Sequence, residues 1–149
     1  DSKAVNKNYL KMKKNGELNI LPLILDLTNP TSSIGFSCSE RKSLMDRGNV
    51  KCVMALALIH HLAISNNLPL EKLAKFFGEL GEFLIIEFVP KEDSQVEKLL
   101  KTRIDIFDDY NFQNFEKTFS YVFKIIDKCS ISGSKRVIYL MKRRVFGEE

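Results

Sequence analysis

Tryptophan is absent from this chain, and histidine occurs only twice, at the adjacent positions His60 and His61. With no third histidine, and no cysteine or acid near the pair in sequence, the spacing of a protein metal site is missing. Metal ligation is therefore not expected. Three cysteines, Cys38, Cys52 and Cys129, lie far apart and form no CxxC, which excludes both a disulfide framework and a zinc knuckle. Seven glycines, at 16, 35, 48, 78, 81, 133 and 147, make no GxG, so no glycine-rich phosphate cradle can be read. Charge of one sign is also scarce, since 23 basic against 19 acidic residues leave a net +4. No basic run is interleaved with stacking aromatics, which disfavours a nucleic-acid surface. Nor is there a long hydrophobic run. The stretch from Cys52 to Leu70 carries no formal charge, but His60-His61, Ser65-Asn66-Asn67 and Pro69 interrupt it, so no membrane span is expected.

What is present is an ordinary globular balance, 44% apolar and 28% charged over 149 residues, enough for one domain with a real core. No signal peptide is visible, and unpaired cysteines suit a reducing compartment, so a cytoplasmic location is expected. The chain opens at Asp1 without an initiator methionine, which reads as a truncated or processed terminus.

The most informative stretch is Cys52–Leu62, CVMALALIHHL: an apolar run ending in two histidines and a polar turn. A helical pattern over Pro69–Leu80 follows, with Leu70, Leu73, Ala74, Phe77 and Leu80 on one face, closed by Gly78 and Gly81. A second run, Phe83–Val89 (FLIIEFV), comes next. Apolar runs separated by a helix predict buried parallel strands in a βαβ unit, whose ligands sit at the carboxyl ends of the strands. His60 and His61 fall at that place. An imidazole titrates near neutrality and suits general-base work, although a histidine satisfying a loop carbonyl reads equally well.

Elsewhere, Ser2–Lys14 predicts a helix stopped by Asn15-Gly16. Leu18–Leu27 reads as a strand ending on Asp26, with Pro22 pushing it to an edge. Thr28–Ser39 is a loop, and Ser39 before Glu40-Arg41-Lys42 suggests a short capped helix ended by Gly48. Ser94-Gln95-Val96-Glu97 resembles a capping box opening a helix through Arg103, and Phe112–Phe123 repeats phenylalanine at helical spacing. Lys124–Ile131 and Arg136–Met141 read as a strand pair around Ser132-Gly133-Ser134. The expected fold is α/β: mainly parallel, with an antiparallel C-terminal strand and helices on both faces. Within it, Asp26 has a plain alternative as a loop-capping carboxylate. Glu87, alone in an apolar strand, must be paired with a cation or face a cleft.

The order of elements, with AVNKNY (Ala4–Tyr9), ILPLILDLTNP (Ile20–Pro30), Glu40-Arg41-Lys42, ALALIHHL (Ala55–Leu62), LIIEFVPKEDSQV (Leu84–Val96) and RVIYLMKR (Arg136–Arg143), resembles the class I S-adenosylmethionine-dependent methyltransferases. The likeness is to a nodulation-related bacterial group, and it covers nearly the whole chain. It implies a Rossmann-like sheet of which this chain is the C-terminal two-thirds, a single truncated domain over 1–149. By that resemblance Asp26 and Leu27 lie at the adenine, and Asp1 falls close to the acid that holds the cofactor ribose. Leu56 and Ala57 run along the methionine part of S-adenosylmethionine. His60 and His61 stand where acceptor and cofactor meet, and Glu87, Phe88 and Pro90 border the substrate side.

Two departures stand against it: the glycine-rich loop has no counterpart, and Lys51 occupies a position where the family often has an acid. The cofactor site in this chain is accordingly expected to be incomplete. The two readings are a fragment of a methyltransferase acting on an unknown acceptor, or a non-catalytic module that binds a partner or a second copy through exposed sheet edges.

Overall fold

Residues 2–145 are described in a computed structural model, and Cα packing divides the chain into two units, Asp1–Leu44 and Met45–Glu149.

The first unit has one regular element, helix α1 (Ser2–Asn15), closed by Gly16 in the left-handed region at φ 67°. None of its described residues is buried. The strand expected over Leu18–Leu27 is not formed, and those residues are irregular. The reason is physical. A strand is stabilised by a hydrogen-bonded neighbour and a face to bury. Here Leu18, Leu21 and Ile24 are exposed, and Pro22 lacks an amide hydrogen to offer. The expected helix at Glu40 is likewise replaced, by an isolated antiparallel bridge between Ile34 and Arg41 and a single 3₁₀ turn at Phe36–Cys38; a second such turn, Met45–Arg47, opens the other unit.

The second unit is mixed α/β. Four strands, β1 (Val50–Ala55), β2 (Gly81–Phe88), β3 (Phe123–Ser130) and β4 (Val137–Arg143), lie in the order β1-β2-β4-β3. β1 and β2 are parallel, whereas β4 runs antiparallel to both β2 and β3. The sheet is therefore mixed, with two of its three pairings antiparallel, and not mainly parallel as expected. The hairpin strand β4 inserts between β2 and β3 instead of adding to an edge.

The expected helices on both faces are also not what packs here. α2 (Leu70–Leu80) and α4 (Phe112–Ser120) lie against each other and against one face of the sheet. That face carries Ala55, Leu84, Ile86, Phe88, Tyr139 and Met141, all buried. They meet Leu73, Ala74 and Phe77 of α2 and Phe115 and Phe119 of α4 in the core. Phe83, Ile85, Ile138 and Leu140, which alternate with them, are only half-buried, and Met54 at the free edge is exposed.

Two glycine and cap assignments differ from expectation. Gly78 does not end α2 but lies inside it, because a Cβ there would meet Val122 Cγ1 at 2.6 Å, so glycine lets the helix approach the α4–β3 corner. The cap of α3 (Ser94–Leu100) is Asp93 rather than Ser94: its carboxylate accepts from the Gln95 amide at 2.9 Å. α4 is capped by Asn111, which accepts from the Asn114 amide at 2.8 Å. No described helix is long and apolar enough to cross a membrane.

Candidate functional site

The apolar run CVMALALIHHL does not stay extended to its histidines. β1 stops at Ala55, and Leu56-Ala57 turn the chain, with Ala57 in the left-handed region at φ 48°. A residue with a Cβ is held there at a cost of about 1–2 kcal/mol, so something must fix it. The fixing group is Glu87, from the carboxyl end of β2: its Oε2 accepts from the Ala57 amide at 2.8 Å. From Ile59 the backbone is helical, continuing as a π turn over His61–Ser65. The histidine pair therefore lies one helical turn beyond the strand, not at its tip. Asn66 Nδ2 donates to the His61 carbonyl at 2.8 Å, and Arg103 donates to the Ile64 carbonyl, which satisfies the end of that turn.

Glu87 is buried and doubly engaged. Its second oxygen accepts from Arg136 Nη1 at 3.0 Å. Arg136 also grips Asp93 with two further donors, Nε to Oδ2 at 2.7 Å and Nη2 to Oδ1 at 3.1 Å. This fork geometry is the strong form of an arginine–carboxylate pair. The same Asp93 caps α3, so one guanidinium joins the Ala57 turn, the end of β2 and the start of α3. The Arg136 hydrogen bond is the main cause that holds the Asp93 carboxyl below its ordinary range. Asp93 first, then Glu87, hold Arg136 protonated more firmly than usual.

His60 is buried, and its Nδ1 has no hydrogen-bond partner among the described residues. Its pKa is pushed down from 6.5 to about 4, chiefly by burial, then by His61 and Arg136, against the opposite pull of Asp93 and Glu87. It is neutral at pH 7. His61 is exposed, with its ring 4.2 Å from that of His60.

The remaining candidates fall as follows. Phe88 is fully buried, its ring packed on Tyr110, Phe112 and Phe115 at centroid distances of 4.9, 4.6 and 4.8 Å. Pro90 is buried next to it, and the two share a cavity of about 190 Å³ with Lys91, Asp108 and Tyr110. That volume is below the roughly 300 Å³ at which small-molecule pockets begin, and does not enclose a nucleoside-sized ligand. Asp26 and Leu27 belong to the first unit. The Asp26 carboxylate accepts from the Thr28 amide at 2.9 Å and hydroxyl at 2.7 Å, a local turn that holds its pKa down. Asp1 lies outside the described residues.

The structure thus brings together Ala57, Glu87 and His60, with Leu56 exposed beside them. Arg136 and Asp93 were missed as site residues. The signal for Arg136 was available, because a lone buried acid in β2 requires a cation; the hairpin order that supplies it was not.

The chain is similar to the nodulation protein NoeA of Rhizobium meliloti (strain 1021), at 42% identity over 125 residues, which is 84% of this chain and 26% of that protein. It spans about a quarter of the relative's length. No family model matches the chain, and no solved structure matches it.

Proposed function

We propose that this chain supplies the C-terminal half of the sheet of an S-adenosylmethionine-dependent methyltransferase. The observation that carries the reading is topological: two parallel strands joined through a helix, followed by a reversed last strand inserted beside the second of them. Of this, the reversed last strand is what the resemblance to the class I enzymes implies, with β1 as the fourth strand and β4 as the reversed last one. A second support is the left-handed Ala57 turn at the carboxyl end of β1, where open α/β sheets bind ligands. Within the Glu87–Arg136–Asp93 cluster the acids outnumber the cation by one, which suits a cationic ligand group.

In this reading the described residues would supply one wall of a cofactor site rather than an enclosed one. When bound, S-adenosylmethionine supplies an electrophilic methyl group. The chain's own part is to present the Leu56-Ala57 backbone and to keep His60 neutral. In this reading His61, the exposed member of the pair, would take a proton from the acceptor.

Calorimetric titration of S-adenosylmethionine tests the reading, first into this chain and then into a longer protein containing it. Expected is weak or no binding to the 149 residues and binding to the longer protein. Absence of binding in both removes the methyltransferase reading.

One observation favours the alternative, a binding or self-association module: among the described residues β1 pairs on one side only, and its Val50, Cys52 and Met54 are exposed. A concentration-dependent dimer in sedimentation equilibrium, without cofactor binding by the longer protein, would select it.

A further inference from the structure

We infer that Arg136 is the positioning residue of this site, acting on the β1 turn through Glu87 and on α3 through Asp93. Its importance as part of a cofactor wall rests on the methyltransferase reading; the positioning itself does not. Arg136 comes from the hairpin that feeds β4, remote in sequence from everything it organises, and its donors are divided between two acids. Nη1 goes to Glu87 at 3.0 Å, while Nε and Nη2 go to Asp93 at 2.7 and 3.1 Å.

Each acid also accepts from one backbone amide. Glu87 Oε2 takes Ala57 N at 2.8 Å, and Asp93 Oδ1 takes Gln95 N at 2.9 Å. A carboxylate has two oxygens and several lone-pair directions, so without a fixed cation its rotamer is under-determined. With the guanidinium in place, one oxygen of Glu87 is pinned and the other is aimed at the Ala57 amide. The Ala57 conformation, left-handed and unfavourable for a residue with a Cβ, is thus held from the β3–β4 hairpin through one residue of β2.

Nothing else among the described residues plays this part. Arg143 and Arg144, at the opposite end of the sheet, bind backbone carbonyls instead: Arg143 that of Gly78 at 2.9 Å and Arg144 that of Ser120 at 2.8 Å. They satisfy the ends of α2 and α4 and, among the described residues, form no ion pair with a carboxylate.

The test is amide NMR on the ¹⁵N-labelled chain at pH 7, which needs no cofactor. In Arg136→Met the Ala57 and Gln95 amides are expected to shift together, and Ala57 exchange to quicken at least tenfold. Leu84 and Met141, at the far end of the β2–β4 pairing, should keep their protection. Arg136→Lys should restore part of the Ala57 protection. Glu87→Met should move Ala57 while leaving Gln95 in place, a split that general loosening of the fold does not produce. Should Arg136→Met fail to fold, the Arg136→Lys and Glu87→Met pair decides the matter by the same split. Unmoved Ala57 signals in these variants, or equal loss of protection at Ala57 and Leu84, overturn the inference. Failure of the longer protein to bind S-adenosylmethionine removes the function while the coupled shifts of Ala57 and Gln95 still uphold the positioning.

Discussion

Two runs of this chain, Ile20–Leu27 (ILPLILDL) and Phe83–Val89 (FLIIEFV), look alike as sequence: seven or eight mostly apolar residues with a single acid near the carboxyl end. Their fates are opposite. The second is a central strand, paired on both sides, with Leu84, Ile86 and Phe88 fully buried and its acid Glu87 held by Arg136 and Ala57. The first makes no ladder, leaves Leu21 and Ile24 exposed, and turns its acid Asp26 back on Thr28. The contrast teaches that an apolar run specifies a strand only where neighbours exist to take its hydrogen bonds and cover its face.

The largest expected effect tests that contrast directly. Ile86→Ala removes a buried side chain that pairs with Ala55 on one strand and Tyr139 on the other. It should cost about 2–5 kcal/mol in urea unfolding. Ile24→Ala, at an exposed site, should stay within about 0.5 kcal/mol. Equal costs would mean that the first run is packed as a strand in solution, and the comparison would collapse.

The acids give the next test. Glu87→Ala leaves Arg136 without one of its two acids and the Ala57 amide without its acceptor. Breaking a fully buried pair costs about 3–5 kcal/mol, but Arg136 keeps Asp93 and is partly exposed, so about 2–3 kcal/mol is expected. The same change at Asp26 should leave the unfolding midpoint of the second unit where it was.

Much of this was readable beforehand, and the part that was not has a common cause. α1, α2, α4 and the β3–β4 pair follow from period and turn residues, which are local signals. The need for a cation near Glu87 also followed, since burial of a lone carboxylate is prohibitive. What could not be read was pairing. That β4 enters between β2 and β3 is a long-range choice, and it decides both the mixed character of the sheet and the identity of Arg136 as the partner. The strand expected over Leu18–Leu27 failed for the same reason, with partners invisible in a single run. The histidines were misplaced by a different one. Leu58 to Leu62 is as apolar as a strand, but it folds as a helical turn whose buried face carries Ile59, His60 and Leu62.

His60 sharpens the comparison on the side of the packed unit, through pH. Its folded pKa, about 4, lies below the unfolded 6.5, so the unfolded chain binds the proton first as pH falls. Stability from this group is complete above about pH 6.5 and declines toward pH 4, by on the order of 2 kcal/mol at pH 5. The unfolding free energy of the wild type should drop across this range. In His60→Phe the slope should flatten between pH 6.5 and 5. An unchanged slope would show that His60 takes up its proton over the same pH range in the folded and unfolded chain.

The smallest effect belongs to Asp26, and it isolates what the unpaired run still does. Its carboxyl pKa is held down first by the Thr28 hydroxyl, then by the Thr28 amide, both within the same turn. Thr28→Val removes the hydroxyl alone, so the Asp26 pKa measured by NMR should rise toward the ordinary 3.8 while the amide bond persists. The unfolding midpoint of the second unit should not move. If instead the Asp26 pKa ignores Thr28, its carboxylate is engaged elsewhere, and the first run has partners that its local turn does not reveal. The two runs would then differ in which neighbour each has found, rather than in whether it has one.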